Sequence, residues 1–180
     1  MPELPEVETV MRAVRPHLMG RTIVRVQTTV DRLRTPLALA DDTRVRGHGI
    51  VDVRRRAKYI IAELDGGHAL LLHLGMTGSF RIQPSADALT PHDRIRFDLD
   101  NGQAWIFCDP RRFGLAEVHE LPSAGAKPAC LAALAPEPLG ADFDVAWLLH
   151  ACGGRRRPVK GLIMDNHLVV GVGNIYASEA

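Results

Sequence analysis

The chain has 180 residues, enough for one ordinary domain or two small ones, and it is long enough to bury a core. Hydrophobic residue types make up 46% and charged types 24%, which argues against a disordered chain as the overall class. The net charge of +1 excludes overall basicity as an argument for nucleic-acid binding, so an anion-binding surface must come from local clustering.

The first predicted element is a helix near the N-terminus. Its apolar face recurs every three or four residues, at Val7, Val10, Met11, Val14 and Leu18. Pro5 suits the first helical position, Pro16 is expected to end or kink the helix, and Gly20 is expected to stop any helical continuation beyond it. Residues 2–4 are therefore expected just ahead of a helix N-terminus and held by it.

Eight short runs rich in branched and aromatic residues predict β-strands. They are Thr22–Thr29, Ile50–Val53, Tyr59–Leu64, Ala69–Leu74, Ser79–Ile82, Arg94–Leu99, Ala104–Phe107 and Leu115–Val118. Residues 65–67 and 100–102 are hairpin turn signals, whereas Gly75 and Gly78 mark a bend or the close approach of another backbone. Short strands at this spacing favour an antiparallel sandwich or flattened barrel.

Helices are predicted again in the last part of the chain. Residues 122–142 are rich in Pro, Ala and Gly and form the predicted linker, with a helical turn over Cys130–Ala135. Helices are expected over Ala146–Ala151 and Pro158–Asp165, and a last one begins at Asn174 as its N-cap.

The predicted fold class is α+β. An N-terminal helix and an antiparallel β-sandwich form a catalytic domain over residues 1–121, and the linker over residues 122–142 leads to a partial helical domain over residues 143–180. Since the last helix reaches Ala180 after less than two turns, we expect the chain to be truncated.

Cysteine usage and the N-terminus indicate a reducing compartment. Cys108, Cys130 and Cys152 are an odd number without close spacing, which predicts neither a disulfide framework nor a zinc site. The N-terminus is acidic and carries two prolines, unlike a signal peptide, and no apolar run is long enough to span a bilayer. We expect a soluble cytoplasmic protein with no membrane partner.

The N-terminus could carry covalent chemistry. Removal of Met1 would expose the secondary amine of Pro2, and α-amino groups have a reference pKa of roughly 7.7–8.0, well below that of lysine. A secondary amine condenses with an aldehyde to an iminium that has no N–H proton to lose, so it persists as an electron sink. Glu3 and Glu6 lie close enough in sequence to transfer protons. The alternative is a proline that merely starts a helix.

Three basic runs stand out against the near-neutral net charge. They are residues 54–58, Arg111–Arg112, and residues 155–157 with Lys160. Several small arginine patches suit the regularly spaced phosphates of a duplex, although a solvated surface is the alternative for each run.

Three glycine-containing segments could contact the bases or the phosphates of DNA directly. The turn over residues 109–114 combines a rigid bend, two arginines and Phe113, as a wedge into a base stack requires, and Met76 could be a second wedge. Core positions for both side chains are the alternative. The glycine loop over residues 171–174 could bring backbone N–H groups to a phosphate, or could be only a tight turn between helices.

Five motifs occur along the chain: residues 2–9 (PELPEVET), 55–59 (RRAKY), 73–78 (HLGMTG) and 109–114 (DPRRFG), and residues 164–166 (MDN) followed by 169–179. In this order the chain resembles the bacterial formamidopyrimidine-DNA glycosylases. The opening Glu3-Leu4-Pro5 resembles that branch more than the sister endonuclease VIII branch, which prefers oxidised pyrimidines.

The resemblance implies a bifunctional DNA glycosylase and abasic-site lyase. It would remove oxidised purines, such as 8-oxoguanine and formamidopyrimidines, from duplex DNA. Pro2 would be the nucleophile that forms a Schiff base, Glu3 the proton donor that helps to open the sugar ring, and Lys58 a proton donor for β-elimination. Residues 164–180 would belong to a helix-two-turns-helix element.

The resemblance also implies the residues that contact DNA. Three would fill the space left by the flipped base: Met76, Arg111 and Phe113. Five would contact phosphates: His92, Arg112, Arg156, Lys160 and Asn174. Glu6 and Glu179 would line the lesion pocket.

The resemblance ends before a four-cysteine zinc ribbon that the family carries further along its chain. We therefore expect no metal or cofactor in these residues, damaged double-stranded DNA as the partner, a monomer, and weak or no activity on duplex DNA. A non-catalytic DNA-binding fragment, an endonuclease VIII-like glycosylase and an N-terminal-proline enzyme for small carbonyl compounds are the alternatives.

Overall fold

A fifteen-residue helix, α1 (Leu4–Leu18), opens the computed structural model, which describes residues 1–180. The predicted face is buried at Val7, Met11, Val14 and Leu18. The two prolines of α1 lie near its two ends, each close to but not at the predicted boundary. Pro5 is the second helical residue, and Pro16 lies inside the helix because, in the last turn, its missing N–H removes only one backbone hydrogen bond.

Eight strands come next, and all eight were predicted. They are β1 (Ile23–Thr28), β2 (Ile50–Arg56), β3 (Tyr59–Leu64), β4 (His68–His73), β5 (Ser79–Pro84), β6 (Asp93–Leu99), β7 (Gln103–Cys108) and β8 (Leu115–Glu120). They form two four-stranded antiparallel sheets with strand orders β1-β6-β7-β5 and β2-β3-β4-β8. The antiparallel β-sandwich is confirmed.

The main core lies between the two sheets and under α1. Phe97, Trp105 and Phe107 are fully buried, and the Trp105 ring centroid lies 5.0 Å from that of Phe97. Rings at this separation gain packing energy beyond the burial of their area. Because α1 packs against β2 and β5, the N-terminal residues are fixed above the sandwich.

Three turns bring the motifs of the sequence to one region of the sandwich. The β2–β3 hairpin pairs Arg56 with Tyr59, so only residues 57–58 form its turn. The β4–β5 turn and the β7–β8 turn are in contact, since a side chain at Gly75 would collide with the backbone of Phe113. Gly75 has φ +62°, and the predicted close approach of another backbone is therefore confirmed.

The last part of the chain is helical, as predicted. It contains a 3₁₀ turn (Ala129–Leu131) and the helices α2 (Val145–Cys152), α3 (Val159–Ile163) and α4 (Asn174–Glu179). The Trp147 indole N–H donates to the Leu168 carbonyl across 3.0 Å, which links α2 to the segment before α4. No helix of the chain has the length and apolar character needed to cross a bilayer.

Candidate active site and nucleic-acid interface

Glu3 joins the start of the chain to the helical part. Its side chain is 1% exposed, and its carboxylate accepts hydrogen bonds from the backbone N–H groups of Gly173, Ile175 (2.8 Å) and Tyr176 (3.4 Å). The Leu4 N–H donates to the Gly171 carbonyl across 3.0 Å. We call this set of contacts the N-terminal clasp. It fixes the backbone next to Pro2, which is half-buried.

The clasp corrects two predictions about the glycine loop. The N-cap of α4 is Gly173, not Asn174, and the N–H groups of Gly173 and Ile175 bind Glu3 and are not free for a phosphate. The Asn174 side chain is exposed beside them. A Cβ on Gly173 would lie 2.5 Å from the Glu3 carboxyl carbon, so the loop needs glycine for this approach.

The two predicted lesion-pocket glutamates have different surroundings. Glu6 accepts a hydrogen bond from the backbone N–H of Glu3 at 2.8 Å and lies 3.4 Å from the Tyr176 hydroxyl, so it belongs to the clasp region. Glu179 is exposed at the last turn of α4 and has no side-chain hydrogen bond.

Lys58 lies in a small cleft with the start of the chain. The cleft has a volume of about 190 Å³ and is lined by Met1, Arg34, Ala57, Lys58, Tyr59, His73 and Asn166; we call it the lysine cleft. Lys58 is 9% exposed. Burial lowers the pKa of Lys58 from its usual value, and the nearby Glu3 carboxylate opposes this shift. The ammonium group can therefore give up a proton more readily than a surface lysine.

His73 is the second titratable group of the lysine cleft. Burial, together with the positive charges of Arg34 and Lys58, lowers the pKa of His73 to about 4. Its Nδ1 accepts a hydrogen bond from the Gly75 N–H at 2.9 Å, which leaves Nε2 as the protonated nitrogen of the neutral ring. His73 was part of a recognised motif but received no role from the sequence.

A larger cleft adjoins the lysine cleft. It has a volume of about 720 Å³ and is lined by Met1, Arg32, Leu33, Arg34, Gly75, Met76, Arg111, Arg112 and Phe113; we call it the arginine cleft. Four of these residues are arginines and none is acidic, and none of the four arginines forms an ion pair within the chain. Such a concentration of unpaired guanidinium groups suits a polyanion. Met1 and Arg34 line both clefts.

Two exposed apolar side chains project at the arginine cleft. Met76 is 40% and Phe113 45% exposed, so neither occupies the core position that was the alternative for it. The Arg111 guanidinium carbon lies 4.8 Å from the centroid of the Phe113 ring, within cation–π range. The structure therefore brings together the three predicted base-stack fillers.

A buried carboxylate stiffens the turns that carry these side chains. Asp109 is fully buried and accepts hydrogen bonds from the Thr77 hydroxyl at 3.0 Å and the Gly114 N–H at 2.8 Å. The Asp109 N–H donates to the His92 carbonyl at 2.9 Å, and Arg94 donates to the Asp109 carbonyl at 2.8 Å. The exposed His92 is thus held next to the turn that carries Arg112.

The first basic run does not form a phosphate-binding surface. Arg54 pairs with Glu63 at 2.5 Å, Arg55 with Glu8 at 2.7 Å, and Arg56 with Glu137 at 2.6 Å. Because all three guanidinium groups are committed to carboxylates of the chain, the interpretation of residues 54–56 as a DNA-binding patch was wrong.

The third basic run is partly committed as well. Arg155 donates to the Ala151 carbonyl at 2.8 Å, and Arg157 lies 3.3 Å from Asp165. Arg156 is exposed and makes no hydrogen bond within the chain, whereas Lys160 donates to the Ser178 hydroxyl at 2.8 Å. Arg156 is the member of this run that is free to bind an anion.

Sequence reasoning missed Arg32 and Arg34, which supply half of the cations of the arginine cleft. They lie in a loop between β1 and β2, on either side of the buried Leu33. This polar–apolar–polar order is the only local sign that both arginine side chains are exposed. No group of three or more His, Cys, Asp or Glu side chains is arranged to hold a metal ion.

Two family models match the chain. The model described as the formamidopyrimidine-DNA glycosylase N-terminal domain matches residues 1–116, and the model described as the formamidopyrimidine-DNA glycosylase H2TH domain matches residues 134–180. Together they cover the sandwich and the helical part.

Individual proteins are similar over the whole chain. Formamidopyrimidine-DNA glycosylases of Thioalkalivibrio sulfidiphilus and Stutzerimonas stutzeri are 49% and 47% identical to it over 180 residues. The chain spans about 65% of the length of these curated relatives.

Solved structures with the same fold also match the chain. The crystal structure of MutM (Fpg) from Thermus thermophilus is 39% identical, with a TM-score of 0.82 over 99% of this chain and 62% of that one. A Lactococcus lactis Fpg mutant in complex with DNA that contains Fapy-dG is 28% identical, with a TM-score of 0.84 over 99% of this chain and 65% of that one.

Proposed function

Since the chain belongs to the formamidopyrimidine-DNA glycosylase family, we propose that it acts in base-excision repair as a DNA glycosylase and abasic-site lyase on oxidised purines in duplex DNA. The observation that carries this proposal is the position of the N-terminus. Met1 lines both the lysine cleft, which holds Lys58, and the arginine cleft, which holds the exposed Met76 and Phe113. The proposed nucleophile Pro2 therefore follows a residue that lies beside both the proton donor Lys58 and the DNA-binding surface.

The first chemical step uses Pro2 and Glu3. Once Met1 is removed, the Pro2 nitrogen attacks C1′ of the damaged nucleotide, and the bond from C1′ to the base breaks with its electron pair going to the base. The proton that the Pro2 nitrogen loses passes to the adjacent Glu3 carboxylate, which gives it to O4′ as the C1′–O4′ bond breaks. The product is an iminium between Pro2 and C1′.

Strand cleavage proceeds from the iminium. Water takes the C2′ proton, and the electron pair of the C2′–H bond neutralises the iminium to an enamine. The enamine then forms the C2′–C3′ double bond, which restores the iminium and expels the 3′ phosphate as the C3′–O3′ bond breaks. Lys58 gives a proton to the departing phosphate, which its lowered pKa favours. None of these steps calls for a metal or cofactor.

DNA recognition uses the arginine cleft and its surroundings. Met76, Arg111 and Phe113 fill the space left by a flipped nucleotide, because an unfilled gap would leave the neighbouring bases unstacked. His92, Arg112, Arg156, Lys160 and Asn174 contact phosphates, and Glu6 and Glu179 line the lesion pocket. The Lactococcus lactis complexes, whose DNA contains Fapy-dG or an abasic site, support this class of partner and substrate.

We assign the chain a monomeric state and a place in the bacterial cytoplasm. Because it spans about 65% of the length of its relatives, we propose weak excision from intact damaged duplex but reaction with an abasic aldehyde, which needs only the groups around Pro2.

Borohydride trapping on DNA with one abasic site tests the proposal. The chain with Met1 removed, as verified by mass, should form a covalent adduct that maps to the Pro2 nitrogen after proteolysis. A chain acetylated at Pro2 should form none. An adduct on Lys58, Lys127 or Lys160 with an unmodified Pro2 would overturn the assignment of the nucleophile.

The arginine cleft alone also fits a non-catalytic DNA-binding module, because its four unpaired arginines do not depend on Pro2. This second function predicts DNA binding with no trapped adduct and no effect of acetylating Pro2.

A further inference from the structure

The turn that carries Lys58 has an unusual backbone conformation. Ala57 has φ +52°, in the left-handed region that favours glycine, and its side chain is buried. A non-glycine residue keeps this conformation only where surrounding contacts determine it. Lys58 is the next residue, so whatever fixes Ala57 also sets the direction of Lys58.

Those contacts come from Glu137, eighty positions further along the chain. Its Oε1 accepts hydrogen bonds from the Ala57 N–H at 2.7 Å and from Arg56 at 2.6 Å, and its Oε2 accepts one from Arg55 at 2.6 Å. Arg55 also donates to the Ala57 carbonyl at 2.9 Å. Both peptide groups of Ala57 are thus bound, one by Glu137 directly and the other through Arg55.

The same arginines connect the turn to the two segments beside it. Arg55 donates to Glu8 of α1 at 2.7 Å, and α1 begins directly after Glu3. Arg56 donates to the carbonyls of Leu134 (2.9 Å) and Ala135 in the predicted linker. One carboxylate therefore lies at the junction of the helix after the N-terminus, the turn of Lys58 and the linker.

Glu137 keeps its negative charge in this setting. Burial raises the pKa of Glu137, but the hydrogen bonds from the Ala57 N–H, Arg55 and Arg56 outweigh burial and lower it. The buried Arg56, the half-buried Arg55 and a backbone N–H would lose their shared acceptor if this carboxylate were removed.

We propose that Glu137 is a positioning residue for the abasic-site reaction, which acts by fixing the left-handed Ala57 and thereby holding Lys58 inside the lysine cleft. The role in the reaction rests on the proposed function, whereas the effect on Lys58 does not. The charged or titratable residues around Lys58 are Glu3 and the N-terminal Met1 from the start of the chain, Tyr59 from β3, His73 from β4, and Arg34 from the loop before β2.

The chain offers a matched control on the same strand pair. Glu63 is a buried carboxylate that pairs with Arg54 at 2.5 Å and accepts a hydrogen bond from the Gly125 N–H at 3.1 Å. Glu63→Gln therefore disrupts a comparable ion pair, between an arginine of the run and a carboxylate of β3, away from the turn of Lys58.

The decisive measurement is the pH profile with which a lysine-specific reagent labels Lys58, read by mass spectrometry. The chain has only three lysines, so Lys127 and Lys160 serve as internal standards. Glu137→Gln should shift the Lys58 profile towards that of the two other lysines, because a released Lys58 is better solvated. Glu63→Gln should leave it in place. Coincident Lys58 profiles for the wild-type chain and both variants would overturn the proposal.

Activity provides the second readout. In Glu137→Gln, β-elimination should fall about tenfold relative to Schiff-base trapping, and in Glu63→Gln this ratio should stay unchanged. If Glu137→Gln unfolds below the assay temperature, Glu137→Asp decides, since it keeps the charge but is too short to reach both arginines and the Ala57 N–H. A wild-type profile in that folded variant would likewise overturn the proposal. A wild-type chain that forms no adduct, but whose Lys58 profile shifts on mutation, would refute the proposed function alone.

Discussion

The Glu3 carboxylate accepts a hydrogen bond from the Gly173 N–H, and the two residues are separated by 170 positions. The residue that carries the proposed proton relay thereby also caps α4, a task that usually belongs to a residue adjacent to the helix. The proposed catalytic geometry and the docking of the helical part onto the sandwich consequently depend on the same side chain.

Gly173→Ala should break this contact. Gly173 has φ −120°, which alanine adopts readily, so the only new cost is the collision of its Cβ with the Glu3 carboxyl group. We expect destabilisation of about 2 kcal/mol and at least a tenfold loss of trapped adduct. Thermal unfolding and borohydride trapping measure the two effects.

Gly161→Ala is the matched control in the same helical part. The nearest atom to its added Cβ is 3.7 Å away, so we expect an unchanged adduct yield and a stability gain of about 0.5–1 kcal/mol. Equal adduct yields for the two variants would contradict the role of the clasp.

Lys58→Arg should separate the two chemical steps. The positive charge remains, but a guanidinium does not release a proton in the accessible pH range. We expect adduct formation within about threefold of wild type and β-elimination slowed by about a hundredfold. Gel analysis of trapped and cleaved DNA gives both rates, with Lys127→Arg as the control. An undiminished elimination rate would exclude Lys58 as the proton donor.

His73 should make stability depend on pH. Its pKa is about 4 in the folded chain and near 6.5 when unfolded, so the unfolded chain binds the extra proton between these values. The stability that neutral His73 contributes is fully present above pH 6.5 and is lost as the pH falls to 4. The total decrease in the free energy of unfolding is about 3 kcal/mol.

His73→Asn keeps an acceptor for the Gly75 N–H but does not titrate. Urea unfolding between pH 4 and 7 should therefore show a shallower loss of stability for this variant, whereas the exposed His17→Asn should match wild type. Parallel curves for all three proteins would show that His73 is not buried as a neutral ring.

Arg34→Ala should weaken DNA binding in a salt-dependent manner. Arg34 forms no ion pair within the chain and lines both clefts, so we expect the slope of log Kd against log salt to fall by about one. Arg44→Ala is the control, because Arg44 pairs with Asp42 at 2.7 Å. A fluorescence titration on undamaged duplex measures the slope. The same slope in both variants would remove Arg34 from the DNA-binding surface.

Local patterns were sufficient to predict the strands and most of the helices. The alternation of buried and partly exposed residues at the start of β6 matches an alternation of residue types along the strand. The turn after it follows from its own residues, Asp100-Asn101-Gly102. Both signals can be read directly from a short stretch of sequence. The position of Phe113 and Arg111 on a stiff turn was predicted for the same reason, since that turn is encoded within six residues.

Long-range partners were not predictable in this way. The run Arg54–Arg56 has the composition of a DNA-binding patch, but its counter-charges at Glu63 and Glu137 come from the next strand and from the linker. Asn174 has the right residue type for an N-cap, yet a carboxylate from the other end of the chain takes that role. In both cases the fold supplies a partner that local sequence does not display.

The clasp also has a consequence for the order of events during synthesis. Glu3 leaves the ribosome long before Gly173, Ile175 and Tyr176 are made. During most of translation its carboxylate therefore lacks the backbone N–H groups that bind it in the folded chain. A processing enzyme can reach Met1 throughout that interval, before α4 encloses the Glu3 carboxylate. Removal of Met1 therefore does not depend on closure of the fold.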